Sequence, residues 1–298
     1  MDELPLDQVR TLLAVVDEGT FDAAAAALHV TPSAVSQRVK ALEQRTGRVL
    51  LQRTKPVRPT ESGEVLVRLA RQVARLEQDA QRELGLSGAG EATRVAIAVN
   101  ADSLATWFLD ALTRVPDRLR VRFDLRRADE AYTAALLREG TVMAAVTSSP
   151  EAVPGCSVRY LGRMRYLPVA SPEFAERYLS GPLAEVVPEA PAVVFDRADD
   201  FQDAFVRRLT GGSAEASAGR HYVPASEGFA RAVVAGLGWG MVPEAQAEPL
   251  LRAGRLTLFA PGHEAESSLY WQRWKLDSPA LTAVTEAVTA TAAQALSP

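Results

Sequence analysis

Cysteine is almost missing from this chain of 298 residues: Cys156 stands alone, so no intrachain disulfide can form and a four-thiolate metal site is excluded. Histidine is scarce too. His29, His221 and His263 lie in unrelated contexts without partner ligands at metal-binding spacing, and no metal site is expected. No apolar run approaches the roughly 18 to 20 residues of a membrane-spanning helix, and the opening MDELPLDQVR has no signal-peptide core. These absences predict a cytoplasmic protein with no membrane partner. No GxSxG, P-loop or HExxH pattern occurs. Gly236-Leu-Gly-Trp-Gly240 follows an expected helix, whereas a dinucleotide fingerprint opens one. Neither a catalytic residue nor a cofactor is expected.

What is present is unevenly placed. The formal charge is -4, yet residues 28–60 hold seven cations (Arg38, Lys40, Arg45, Arg48, Arg53, Lys55, Arg58) against one anion, Glu43, so this segment is +6 and the remainder -10. A local phosphate-binding surface on an acidic body gives this asymmetry, and so does a solvated helix face.

The order of elements around that segment decides how it reads. Leu6, Val9, Leu12, Leu13 and Val16 predict a helix over about 6–17, ended by Glu18-Gly19. Thr20 is placed to cap a second helix, FDAAAAALH. After His29-Val30, Thr31 and Pro32 suit the cap and first position of a third helix, in which Val35, Val39, Leu42 and Thr46 recur on one face. Ser33, Ser36, Gln37, Arg38 and Lys40 stay outside that face, as a helix lying in a DNA major groove requires. Beyond Gly47, an apolar Val49–Leu51 and the prolines Pro56 and Pro59 predict a basic wing, with Arg53, Lys55, Arg58 and Thr60 in reach of phosphates.

A long helix follows over about 61–86. Leu66, Leu69, Val73, Leu76, Ala80 and Leu84 step by three and four, which fits a two-helix seam; packing on its own body is the alternative. The glycines at 88 and 90 mark a boundary. From residue 94 onward strands alternate with helices, the pattern of parallel sheets with crossover helices, and the chain leaves one lobe near 160–170 and returns near 268. The default ligand site of such a body is the cleft between lobes.

The run from Phe21 through Thr31-Pro-Ser-Ala-Val-Ser-Gln-Arg-Val to Leu42-Glu43, with Gly47, Leu50, Arg53 and Arg58-Pro59-Thr60-Glu61-Ser62-Gly63, resembles the N-terminal domain of LysR-type transcriptional regulators over about the first 65 residues. Leu51 departs from the pattern, since many relatives have phenylalanine there; both are apolar. The resemblance implies an α/β fold class with three parts. Residues 1–60 would be an all-α winged helix-turn-helix DNA-binding domain, and 61–90 a linker and dimerisation helix with hinge. Residues 91–298 would be a two-lobed, periplasmic-binding-protein-like effector domain, with lobe I about 91–163 and 268–298 and lobe II about 164–267. Val99 to Trp107, with Phe195-Asp196 and Asp199-Asp200, is similar to the LysG/ArgP subgroup, which responds to lysine and arginine. That likeness implies a basic amino acid as effector and genes of amino acid export or metabolism as targets.

Candidate effector-binding residues are Asn100, Asp102, Ser103, Thr147, Ser148, Ser149, Asp196, Asp199, Ser226 and Glu227. Asp102 suits an ammonium or guanidinium group, the serines and threonine a carboxylate. Implied partners are double-stranded promoter DNA, a second or fourth copy of the chain as homodimer or homotetramer, and RNA polymerase indirectly. The competing class is a metabolite-binding or metabolite-processing α/β protein whose N-terminal module does not read sequence.

Overall fold

The computed structural model describes residues 4–86, 92–128, 130–212, 214–216 and 219–298. The expected boundary at residues 90 and 91 lies outside them. Three helices form the first unit: α1 (Leu6–Glu18), α2 (Phe21–Ala27) and α3 (Pro32–Thr46). Their ends follow from the residues there. Thr20 and Thr31 accept hydrogen bonds from Ala23 N and Ala34 N at 3.1 and 3.2 Å. Gly47 closes α3 at a left-handed φ of 62°. The turn between α2 and α3 puts His29 at φ 54°, where its amide and that of Val30 bond back to Ala26 O and Ala25 O. Val9, Leu12, Val15, Ala24, Val35, Val39 and Leu42 are the core of this unit.

A hairpin follows, β1 (Leu51–Gln52) antiparallel to β2 (Arg58–Pro59), with Leu51 opposite Pro59. It begins later than the apolar run at 49–51 suggests, because Val49 faces solvent while Leu50 and Leu51 turn into the core. Helix α4 (Glu61–Glu83) starts against the hairpin so closely that a Cβ on Gly63 would lie 2.0 Å from Leu50 O. Along α4 the apolar stripe changes character. Leu66, Val67 and Ala70 are buried, whereas Leu76, Ala80 and Leu84 face solvent.

The remaining elements are β3 (Thr93–Val99), α5 (Ala101–Thr106), α6 (Phe108–Thr113), β4 (Val121–Arg127), α7 (Glu130–Glu139), β5 (Ala144–Thr147), β6 (Cys156–Ala170), α8 (Pro172–Tyr178), α9 (Leu183–Val186), β7 (Ala192–Val194), α10 (Phe201–Thr210), β8 (Arg220–Tyr222), α11 (Ser226–Val234), β9 (Gly240–Pro243), α12 (Glu244–Arg252), β10 (Thr257–Leu258), β11 (Ala265–Trp274) and α13 (Pro279–Ala295). Strand β3 runs parallel to β4 and β5, and β11 antiparallel to β5 and β6. Strand β6 is long enough to serve both lobes. Its first part pairs with β11, and its last residues, from Tyr166, pair with β9 and β10. The parallel pair β7 and β8 joins β9 through Val193 N to Trp239 O at 2.8 Å. Strands β6 and β11 are thus the two connections around which the lobes are arranged.

After Asn100 the chain forms two short helices, α5 and α6, broken at Trp107. The break lets adjacent aromatics bury together: Trp107 and Phe108 pack edge to face at 5.6 Å, a placement that a regular helix, turning about 100° per residue, would deny them. The short α9 and β10 were not expected from sequence, being too brief for any periodicity.

Candidate functional site

The N-terminal unit presents one cationic face. Thr31, Pro32, Ser33, Ser36, Gln37 and Lys40 are exposed along α3, and Arg53, Lys55 and Arg58 are exposed on the hairpin with no ion-pair partner among the described residues. Glu43, the one anion of the segment, is turned inward and accepts the amide of Leu50 at 2.9 Å. It fixes the hairpin on α3 and leaves the outer face uniformly positive. Three expected DNA-contacting residues have other employment. Arg38 is half-buried and its Nη1 reaches Thr11 Oγ1 on α1 at 3.5 Å. The Thr60 hydroxyl is used twice, donating to Val49 O at 2.7 Å and accepting from Gly63 N at 3.1 Å, so it holds hairpin to α4 and is not free for a phosphate. Thr31 likewise lends its hydroxyl to the cap of α3.

Between the lobes lies a cleft of about 1000 Å³. Seven of the expected effector residues line it: Asn100, Asp102, Thr147, Ser148, Asp196, Asp199 and Ser226. Asp102, one residue into α5, is the contact across it. Its Oδ1 accepts from Ser226 Oγ of α11 at 2.6 Å and its Oδ2 from the Tyr166 hydroxyl of β6 at 2.8 Å. Gln246 Nε2 in turn donates to Ser226 Oγ at 3.1 Å. Burial pushes the Asp102 carboxyl above its ordinary value of 3.8; the bonds from Ser226 and Tyr166 oppose the shift, and Glu227 adds to it. Asp199 is raised by burial against the pull of the Phe195 and Phe201 amides, each 2.9 Å away, with Asp196 and Asp102 adding to the rise. Asp196 holds the same loop, accepting from Ala198 N and Asp199 N. The Tyr166 hydroxyl is driven well above its usual range by burial and by Asp102. Crowded carboxylates of this kind call for a cation.

Three expected residues do not line the cleft. Ser103 is fully buried behind it, with its amide on Asn100 Oδ1. Ser149 serves the turn, its carbonyl accepting from Thr147 Oγ1 at 3.1 Å and its hydroxyl from Glu151 N at 3.2 Å. Glu227 points to solvent and acts on Asp102 only through its field. In the other direction, Thr133, Tyr166, Phe201, Gln202 and Met241 line the cleft unannounced. Tyr166 stacks on Phe201 at 4.5 Å. A buried tyrosine at the head of the apolar stretch Tyr166–Ala170 was the one available signal.

Helix α7 spans the distance from cleft to α4. Thr133 near its start lines the cleft, and at its end the carbonyls of Arg138 and Glu139 accept from Arg68 Nη1 (3.0 Å) and Arg71 Nη1 (2.6 Å). Arg71 also pairs with Asp17 of α1 at 2.5 Å, and Arg10 of α1 pairs with Glu77. Arg75, buried, is held by Asp79 and reaches Ser278 Oγ and Arg94 O.

Comparison with known proteins gives a consistent picture. Residues 6–64 match the model of the bacterial regulatory helix-turn-helix protein, lysR family, and residues 88–293 the LysR substrate binding domain. The HTH-type transcriptional regulator LysG of Mycobacterium tuberculosis is 48% identical over 286 residues, covering 96% of this chain and 92% of the relative. The lysine export transcriptional regulatory protein LysG of Corynebacterium glutamicum is 42% identical over 295 residues, covering 98% and 99%. The solved full-length structure of the C. glutamicum protein with bound effector Arg superposes with a TM-score of 0.87 at 41% identity, covering 99% of this chain and 100% of that one.

Proposed function

Because the chain belongs to the LysR family of bacterial helix-turn-helix regulators, and is therefore a DNA-binding transcriptional regulator and not an enzyme, we propose that the cleft around Asp102 senses arginine or lysine and that its occupancy resets how the winged head meets promoter DNA. The single observation carrying this is the gathering of three carboxylates, Asp102, Asp196 and Asp199, and the hydroxyl-bearing Thr147 and Ser148 on one cleft. A basic amino acid supplies the cation for the first group and the carboxylate for the second. The arginine bound in the C. glutamicum relative supports the same chemistry, and the lysine-export role of that relative supports target genes of amino acid export or metabolism.

On this reading residues 1–60 are the head, 61–90 the linker and 91–298 the sensor. Bases are read by Ser33, Ser36, Gln37 and Lys40; phosphates are met by Arg53, Lys55 and Arg58. The exposed Leu76, Ala80 and Leu84 of α4 are the seam for a second copy, giving a homodimer or a homotetramer that works in the cytoplasm. A ligand shifts such an assembly only by binding one arrangement more tightly than another. Helix α7 and the Arg71 bridge to Asp17 are the bonded route by which closure reaches the head. RNA polymerase feels the change indirectly, through the path of the DNA.

Calorimetry on the full-length chain tests this. Arginine and lysine should bind, norleucine about tenfold or more weakly, and Asp102→Asn should lower arginine affinity by about tenfold, the value of one charge-assisted hydrogen bond. Equal binding of norleucine and lysine would remove Asp102 from its role.

A further inference from the structure

Helix α4 is attached to the two bodies it joins by two different kinds of contact. Its apolar side chains Leu66, Val67, Leu69 and Ala70 pack into the core of the head, and none of its described residues joins the apolar core of the sensor. To the sensor it offers arginines. Arg68, Arg71 and Arg75 recur at spacings of three and four, so they share one face of the helix. Each donates to a main-chain carbonyl of lobe I: Arg68 to Arg138 O at 3.0 Å, Arg71 to Glu139 O at 2.6 Å and Arg75 to Arg94 O at 3.3 Å.

The end of α7 is made for this contact. Leu136 O and Leu137 O are taken up by the amides that follow the helix, those of Thr141 and Gly140. Arg138 O and Glu139 O are the last carbonyls of α7, at the negative end of its dipole, where a guanidinium is favoured. Gly140 lets the helices come close: at its left-handed φ of 73° a Cβ would lie 3.2 Å from Arg68 Cα and 3.4 Å from Arg71 Cδ.

A contact of this composition is releasable. Carbonyls and guanidinium groups regain water when they part, whereas an apolar seam resists separation. Arg71 and Arg75 keep their ion pairs, with Asp17 and Asp79, on the head's side of the contact. Two solved full-length structures of the C. glutamicum relative superpose on 99% of this chain with TM-scores of 0.87 and 0.63, so the placement of its parts differs between them. We propose that Arg68, Arg71 and Arg75 form a releasable clasp on lobe I, and that the head responds to the cleft through the closing and opening of this clasp. The response rests on the cleft being the effector site; the clasp itself does not. Helix α7 also carries Thr133 on the cleft wall, so a ligand that moves α7 moves the acceptors. DNA must in turn change the affinity for that ligand by the same factor.

Arg75 is buried, so the test uses Arg68 and Arg71, which are partly exposed. Arg68→Gln paired with Arg71→Gln opens the clasp from α4. Gly140→Ala obstructs it from α7 without removing the Arg71–Asp17 pair. Fluorescence anisotropy of the full-length chain on a duplex that the parent selects from a random pool, with and without saturating free arginine, reads the coupling. Arginine should change DNA affinity about fivefold or more in the parent and less than about twofold in both variants, while both ligands still bind. Arg68→Lys paired with Arg71→Lys keeps the charge and a donor at each place and should restore part of the coupling. X-ray scattering by the DNA-free chain should give a larger radius of gyration for the glutamine pair and for Gly140→Ala than for the parent. Full coupling in both variants overturns the proposal, and so does a radius unchanged in both. If the glutamine pair damages the head and loses DNA outright, Gly140→Ala carries the test. Should free arginine fail to bind the parent, the cleft reading falls and the radius alone decides the clasp.

Discussion

The two polar regions of this protein handle charge in opposite ways. On the head, Arg53, Lys55 and Arg58 stand in solvent, and the one local anion, Glu43, is withdrawn to hold the Leu50 amide. In the cleft, Asp102 is held by hydroxyls from Tyr166 and Ser226, residues distant in sequence and belonging to different elements. The head keeps its charge in water, where it costs little and acts through the field it projects. The cleft withdraws its charge from water, raising Asp102 and Asp199 above the ordinary carboxylate value. One region is a surface and the other an assembly. Solvent conditions should therefore act on them separately.

The sharpest way to break the comparison is to damage one region and leave the other whole. Gly63→Ala puts a methyl 2.0 Å from Leu50 O, a backbone atom that cannot swing aside. Either β1 or the first turn of α4 must move. The expected cost is about 3 kcal/mol, the upper part of the range for overpacking. Because Gly63 supports the hairpin and lies far along the chain from Asp102, DNA binding should be lost while arginine calorimetry stays within about twofold of the parent. A variant that lost both together would mean that head and cleft fold as one unit.

The same contrast explains what could be read before the structure. Helices α1, α2 and α3, their caps and the exposed face of α3 follow from local pattern, since a capped amphipathic helix needs only its own residues. Asp102 and Ser226 were legible as polar groups at element starts, and both line the cleft. Ser103, one residue beyond Asp102, was not separable from it, because a helix turns neighbours onto different faces and only the packing tells which face is dry. Thr133 and Gln202 carried no signal, since a threonine and a glutamine within helical stretches look the same whether they meet solvent, core or cleft. Thr60 and Arg38 show another limit. Their chemistry suits phosphate and base contact, but local pattern does not reveal that the fold also gives them Val49 O and Thr11 Oγ1 as partners.

Salt probes the head. Arg53→Ala and Arg58→Ala each remove one phosphate neutralisation, so the slope of log affinity against log salt should flatten by about 0.9 per variant, with binding to cognate and random duplexes weakened alike. Ser33→Ala and Gln37→Ala should leave the slope unchanged and alter which sequence is preferred. Fluorescence anisotropy on two duplexes at several salt concentrations measures both. Identical slopes for the parent and the two arginine variants would show that the hairpin does not touch the backbone. Arginine binding in the cleft, screened by protein, should vary much less over the same series.

Proton concentration probes the cleft. A cationic effector needs Asp102 and Asp199 ionised, and in the empty cleft both hold their protons to a higher pH than the ordinary 3.8. Arginine must displace that proton, so its affinity should fall as the pH drops through the raised values and level off above them, with proton release visible as a buffer-dependent enthalpy. Stability of the empty chain runs the other way: a carboxyl whose folded pKa exceeds its unfolded one takes up protons on folding. Its contribution is therefore full below about 3.8 and is lost as the pH rises through the folded value. Asp102→Asn removes one of the two raised carboxyls, and should reduce the pH dependence of arginine affinity as well as weaken it. A variant with the full pH dependence of the parent would assign the titration to Asp199 and its loop.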